Sequence, residues 1–191
     1  MLVPIILMAK HEFPKSKKAG DIGQKVMYHH IRCRPACSIL PETALVTLLH
    51  DNPSYFSRDI DFGVSSKNYS YFVEVKTENK GAETGNLAIE TVKNIRTNEP
   101  GWLFYCKAEW VVIYAPHSQQ VFWFKMAELL KAWHEELSVE YRGCLLPCYD
   151  SGKTSINLCL PPKILLAHVS GSWVENLNYQ KLSTPLPLSI V

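Results

Sequence analysis

The sequence lacks a run of about 18 consecutive apolar residues, the length that a membrane-spanning helix requires. The opening MLVPIILMAK has no basic start and is interrupted by Pro4, which argues against a secretory signal. Charge of one sign is also scarce, because the net charge is only +2 at pH 7 and identifies no partner by itself. These absences predict a cytoplasmic chain.

The six cysteines do not resemble the disulfide framework of a small secreted protein, because the chain is long and lacks a signal. Two pairs share the spacing C-x3-C, Cys33 with Cys37 and Cys144 with Cys148. Four thiolates can hold structural zinc, so a zinc-held interaction module is one alternative function. Free buried cysteine is the commoner explanation, since Cys behaves as a small hydrophobic residue.

The length of 191 residues, with 47% hydrophobic and 20% charged residues, is typical of one globular domain. We predict a single domain over residues 1–170 and a C-terminal tail over 171–191, where Pro185 and Pro187 lie. Helical spacing predicts helices at about 20–32 and 126–137, and a short apolar helix or turn near 163–169. Residues 40–50 fit either a short helix or a buried strand. Alternating patterns predict strands at 59–64, 69–77, 86–92, 110–115, 120–125 and 154–160. The expected class is mixed α/β (α+β).

The most informative segment is DIDFGVSSKNYSYFVEVKTE. Side chains alternate between the two faces of a strand, so Phe72, Glu74 and Lys76 project to one face. Charged residues remain in the interior of a sheet only when they are paired or bind something. Asp61, on the preceding strand, is expected to lie across from them. The segment therefore predicts two carboxylates and an ammonium in one place.

Carboxylates and a backbone carbonyl are the hard oxygen ligands that Mg²⁺ prefers, and Mn²⁺ can substitute for it. We predict that Asp61, Glu74 and the carbonyl of Val75 hold the metal. The metal would neutralise charge on a phosphodiester and lower the pKa of a bound water. Lys76 would orient or help deprotonate that water and stabilise the oxyanion. For an isolated E-x-K, a surface Glu–Lys pair is the commoner explanation.

The order Asp61, then Glu74-Val75-Lys76, resembles the D…E-x-K motif of the PD-(D/E)XK nuclease superfamily. The resemblance continues through TGNLAIE at 84–90 and AEWVVIY at 108–114, and is closest to a phage-type branch. It implies a restriction-endonuclease-like fold, a mixed central β-sheet flanked by helices. It also implies an enzyme that cleaves DNA with Mg²⁺, with Asp61, Glu74 and Lys76 as catalytic residues.

Four further residues are candidates for the site. Members of this superfamily often place a glutamate on the first helix, where this chain has Gln24, and Asp21 is its alternative there. Asp59 competes with Asp61 as a ligand because the two share a face of the predicted strand. We prefer Asp61, which is nearer the register of Glu74. Glu90, on the strand expected beside Glu74 and Lys76, either reaches the metal or pairs with Lys76.

DNA is the expected partner, and a homodimer is compatible with it. Lys15, Lys17 and Lys18 are candidate phosphate contacts, and so is the turn at Asn86. A solubilising arm explains the lysines equally well, and ordinary turn chemistry is the commoner explanation for Asn86. The remaining alternative function is a DNA-binding or structural protein that keeps the fold but has lost metal affinity.

Overall fold

The computed structural model describes residues 13–32, 45–150 and 152–177; for residues 13–17 and 150 it describes the backbone alone. Helices are formed by α1 Phe13–Arg32, α2 Pro53–Phe56, α3 Gly81–Thr84, α4 Trp102–Tyr105, α5 Met126–Ala132, α6 Ser138–Glu140 and α7 Pro162–His168. A π-helical turn, Trp133–Leu137, joins α5 to α6, and a 3₁₀ turn, Arg142–Cys144, follows α6. Strands are formed by β1 Leu45–Leu48, β2 Phe62–Ser65, β3 Ser70–Thr77, β4 Leu87–Asn94, β5 Glu99–Pro100, β6 Trp110–Ala115, β7 Gln120–Lys125, β8 Leu145–Asp150, β9 Lys153–Leu160 and β10 Trp173–Asn176.

The strands form two sheets. The larger sheet has the order β1-β2-β3-β6-β7-β10, and its β3 and β6 are parallel while its other neighbours are antiparallel. The smaller sheet has the order β5-β4-β9-β8 and is antiparallel throughout. The mixed α/β class expected from the sequence is confirmed.

Two apolar clusters cover the two faces of the larger sheet. Alternation along β6 sends Val112 to one face, where it packs with Met27 and Ile31 of α1. The same alternation sends Val111 and Ile113 to the other face, where they pack with the smaller sheet and with α4, α5 and α7. The larger sheet is therefore the central layer, with α1 on one side and the smaller sheet on the other.

Helix α1 approaches β3 most closely at Gly23. A Cβ atom at this position would lie 1.9 Å from Oγ1 of Thr77, so no larger residue fits without movement. Glycine is thus required here for close packing rather than for its backbone freedom. The close approach brings the next residue, Gln24, to the start of β2.

Several elements differ from the expectations. Residues 45–48 form a strand, which resolves the choice between helix and strand for that part of 40–50. The strand expected at 59–64 begins only at Phe62, because Asp59 has a φ of 50° and turns the chain before it. Residues 145–150 form an unexpected strand that pairs with β9. Residues 173–176, expected in the tail, pair with β7 as an edge strand of the larger sheet.

Two expected elements have different neighbours or shapes from those predicted. Strand β4 was expected beside Glu74 and Lys76, but it lies in the smaller sheet, so that expectation was wrong. The helix expected at 126–137 passes into the π-helical turn after Ala132. Among the described residues, no helix combines the length and the apolar character needed to span a membrane.

Candidate functional site

The site lies where β2 starts beside the middle of β3. The N–H of Asp61 donates to the carbonyl of Val73 at 3.0 Å, as the last bond of the ladder between the two strands. The N–H of Val75 therefore bonds a side chain instead of a strand carbonyl. It donates to Oδ2 of Asp61 at 2.8 Å. Because N–H and C=O of one residue point to the same edge of a strand, the Val75 carbonyl also faces Asp61. The end of one strand therefore positions both the carboxylate and the carbonyl.

Asp61 and Glu74 form a buried pair of carboxyl groups, each residue only 5% exposed. Burial raises the pKa of Asp61, against the lowering effects of the Val75 N–H and the Lys76 charge. Burial also raises the pKa of Glu74 well above its usual range, and the charges of Asp61 and Asp59 add to this rise. The negative charge of Asp61 thus disfavours ionisation of Glu74, as expected for two carboxyl groups placed close together. A divalent cation placed between the two groups would favour the ionised form of both.

Lys76 reaches Glu74 from the same face of β3, as the alternation predicted. Its Nζ lies 2.7 Å from Oε1 of Glu74 and 2.8 Å from Oδ2 of Asp59, and 5.8 Å from the ring centre of Trp102. Burial lowers the pKa of Lys76, but the charges of Glu74 and Asp59 outweigh it and raise the pKa well above its ordinary value. Lys76 is therefore an ammonium held beside the carboxyl pair.

Helix α1 contributes one amide to the pair of carboxyl groups. Nε2 of Gln24 donates to Oδ1 of Asp61 at 2.6 Å, which fixes the orientation of that carboxylate together with the Val75 N–H. Asp21, one turn earlier, is exposed and lines the mouth of the same pocket. Gln24 is thus the residue of α1 in direct contact, and Asp21 lies at the rim.

Asp59 and Asp61 have different partners. The positive φ of Asp59 takes it out of the strand, so the two do not share a strand face, contrary to the expectation. Asp59 accepts a hydrogen bond from Lys76, whereas Asp61 accepts hydrogen bonds from Gln24 and from the N–H of Val75. The preference for Asp61 over Asp59 as a metal ligand stays a prediction, and this division of partners agrees with it.

Glu90 belongs to the smaller sheet but faces the same region. Its Oε1 accepts a hydrogen bond from the N–H of Trp102 at 3.3 Å, and burial raises its pKa while the charge of Lys76 lowers it. It is therefore within electrostatic reach of Lys76 without an ion pair to it. Glu90 therefore holds the first residue of α4, Trp102, in place. The ring of Trp102 lies beside Lys76.

The pocket in front of the carboxyl pair has a volume of about 240 Å³ and contains residues that the sequence analysis missed. His50 lines it, with Nε2 3.3 Å from Asp51 and with Nδ1 buried and without a hydrogen-bond partner among the described residues. Phe56 also lines it and is 74% exposed. His50 and Phe56 lie on either side of the turn DNPS. Because this turn matches no motif, nothing in a single sequence identifies the two residues as part of the site.

The predicted DNA contacts are only partly described. Lys18 is exposed on α1, while the side chains of Lys15 and Lys17 lie outside the described ones. The N–H of Asn86 donates to Oγ1 of Thr84 at 3.2 Å, within the turn that leads into β4. This bond matches the ordinary turn chemistry that was the alternative for Asn86.

The cysteine pairs are also only partly described. Cys33 and Cys37 lie outside the described residues. Cys144, at the end of the 3₁₀ turn before β8, and Cys148, within β8, are free thiols. Nζ of Lys80 lies 3.5 Å from Sγ of Cys148. Zinc binding by four cysteines stays a prediction.

The donor set at Asp61 and Glu74 suits a hard divalent cation. It offers two buried carboxylates and one backbone carbonyl, all oxygen, in an open pocket that leaves room for water ligands. Within residues 13–32, 45–150 and 152–177, no group of three or more His, Cys, Asp or Glu side chains is arranged to hold a metal. A cation here would therefore depend on two side chains, the carbonyl of Val75 and water.

No protein-family model matches the sequence, and no curated protein matches it. One solved structure with a partial structural likeness to this chain is the bacterial homing endonuclease I-Ssp6803I. It is 20% identical over 58% of this chain and 69% of its own, with a TM-score of 0.40. A likeness this partial assigns neither an activity nor site residues to this chain.

Proposed function

We propose that this protein is a Mg²⁺-dependent endonuclease that hydrolyses DNA phosphodiester bonds. The observation that carries the proposal is the charge of this group of buried and half-buried side chains. Asp59, Asp61 and Glu74 supply three carboxylates and Lys76 one ammonium, so the group has a net charge of −2 when all are ionised. Such a group is costly unless a cation completes it.

Asp61, Glu74 and the carbonyl of Val75 are the residues that would hold Mg²⁺. When bound, the metal supplies positive charge for the phosphodiester and a water of lowered pKa. Gln24 and the Val75 N–H keep the Asp61 carboxylate in one orientation, so the ligand is organised before binding. This organisation reduces the loss of side-chain freedom on binding.

Lys76 fits the role of charge stabiliser better than that of base. Its pKa is raised, so its ammonium remains protonated and can donate to a phosphate oxygen or to the attacking water. The water oxygen forms a new bond to phosphorus while the bond to the 3′ oxygen breaks in line. The proton of the water passes to solvent, and the 3′ oxygen takes up a proton.

The choice of DNA rests on the sequence motif alone, the D…E-x-K order followed by TGNLAIE. The contacts described within the site do not bear on it. The alternative of a DNA-binding protein without catalysis draws on Gln24, because an amide is a weak ligand for a cation and here donates to Asp61. The two proposals differ in one measurable respect, the hydrolysis of DNA.

The test is cleavage of supercoiled plasmid, linear duplex and branched DNA with Mg²⁺ or with EDTA. Wild type is compared with Lys76→Ala and with Lys67→Ala, an exposed lysine in the turn between β2 and β3. We expect cleavage that requires Mg²⁺ and falls about 10²-fold or more in Lys76→Ala, with Lys67→Ala equal to wild type. DNA binding without cleavage in Mg²⁺ and in Mn²⁺ would refute catalysis and favour the non-catalytic alternative.

A further inference from the structure

A single exposed aromatic ring stands at the mouth of the pocket that contains the carboxyl pair. Phe56 is 74% exposed and lines this pocket together with Asp61 and Glu74. Isolated exposed apolar residues are ordinary on a protein surface. This one differs in position, because the other large apolar side chains that are exposed among the described residues do not line the pocket.

The segment that carries Phe56 is held firmly in place. The side chain of Asn52 caps α2 by accepting the N–H of Ser54 at 3.0 Å, and Pro53 fixes the first turn. The N–H of Phe56 donates to the carbonyl of Asn52 at 2.9 Å. The neighbouring ring of Tyr55 packs on Phe72 of β3 at 5.5 Å. The partly buried ring of Tyr55 thus anchors the segment, and the ring of Phe56 is left in solvent.

A rigid exposed ring beside a phosphodiester site suits contact with a nucleobase. Bases present flat apolar faces, and aromatic side chains stack on them without regard to sequence. The rim also carries Asp21 and Asp51, two exposed carboxylates that repel phosphate and so would not attract the backbone of the strand. The ring is the part of this rim that favours a nucleotide.

We propose that Phe56 stacks on a nucleobase adjacent to the phosphodiester held at Asp61 and Glu74, and that the preferred substrate has an unstacked base there. This inference rests on the proposed nuclease function. A base inside an intact duplex has both faces covered by its neighbours, so the contact requires single-stranded, mismatched or branched DNA.

The test measures binding of a short labelled single strand and of the duplex of the same sequence, with Ca²⁺ in place of Mg²⁺. The variants are Phe56→Ala, Phe56→Leu and Phe56→Tyr, with Val139→Ala as a control that is 77% exposed outside the pocket. We expect Phe56→Ala to bind the single strand roughly 5- to 150-fold more weakly, the range for loss of one stacked base. Phe56→Leu should lose affinity similarly, while Phe56→Tyr and Val139→Ala retain it.

The loss should be larger for the single strand than for the duplex. Equal losses on both, wild-type binding by Phe56→Ala, or wild-type binding by Phe56→Leu would each overturn the inference. If these occur while the wild type still cuts DNA in a Lys76-dependent manner, the stacking role alone fails. If the wild type binds neither oligonucleotide and cuts no DNA, the proposed function fails with it.

Discussion

Two glycines of α1 should respond in opposite directions to the same substitution. In Gly23→Ala, the new Cβ would meet Oγ1 of Thr77 at 1.9 Å and its Cβ at 3.2 Å, so α1 must move away from β3. Overpacking of this kind costs about 1–3 kcal/mol. Alanine in a helix gains about 0.5–1 kcal/mol over glycine, so the net expectation is a loss of about 0.5–2 kcal/mol in unfolding free energy.

Gly20→Ala is the matched control, because nothing lies within 4 Å of the Cβ it would add. Urea denaturation should show Gly20→Ala more stable than wild type by about 0.5–1 kcal/mol, the helix term alone. Thr77→Ala in the Gly23→Ala background should recover most of the loss, since it removes the clashing oxygen, which has no described hydrogen-bond partner. A Gly23→Ala protein as stable as Gly20→Ala would refute the close approach of α1 to β3.

Two further predictions concern buried carboxylates. The folded pKa values of Asp61 and Glu74 are raised, so in metal-free protein their contribution to stability is present in acid and is lost as pH rises above about 4.5. Thermal unfolding should therefore show a Tm that falls as pH rises. Mg²⁺ should reverse this fall, and Glu74→Gln should make it smaller. At ten times its Kd, Mg²⁺ should add about 1.4 kcal/mol to the free energy of unfolding. A metal-free Tm that rises with pH over this window would contradict the assignment. Glu78 accepts three backbone N–H bonds at the start of α3 and β4, so Glu78→Ala should lose about 1–3 kcal/mol in urea denaturation. Exposed Glu83→Ala should change stability by less than about 0.5 kcal/mol, and equal effects would contradict the structural role of Glu78.

The strand that carries Glu74 and Lys76 could be predicted because its information is local. Alternation along YSYFVEVKT fixes which side chains share a face, and Phe72, Glu74 and Lys76 do share one. The position of Asp61 beside Glu74 followed from a short turn between two strands, which leaves little choice of register. These parts of the site needed no knowledge of distant contacts.

The rest of the site depends on features that no periodic pattern encodes. The positive φ of Asp59 ends the alternation before β2, so a face assignment that continues through it fails. Glu90 reaches the vicinity of Lys76 from a second sheet, and the assignment of strands to two sheets is a property of the whole chain. His50 and Phe56 meet at the pocket only because the DNPS turn folds back towards β2.

The energetics of the charged cluster formed by Asp59, Asp61, Glu74 and Lys76 favour a functional explanation over a structural one. A core that needs only stability gains more from apolar residues than from charges, because a buried ion pair seldom repays its desolvation. Here one ammonium forms ion pairs with two carboxylates, those of Asp59 and Glu74, and a third carboxylate, that of Asp61, forms no ion pair among the described residues. Its other contacts come from Gln24 and the Val75 N–H, neutral donors that orient a carboxylate without neutralising it. A fold that retains and orients a buried acid without an ion pair, in an open pocket, is suited to receive positive charge from solution.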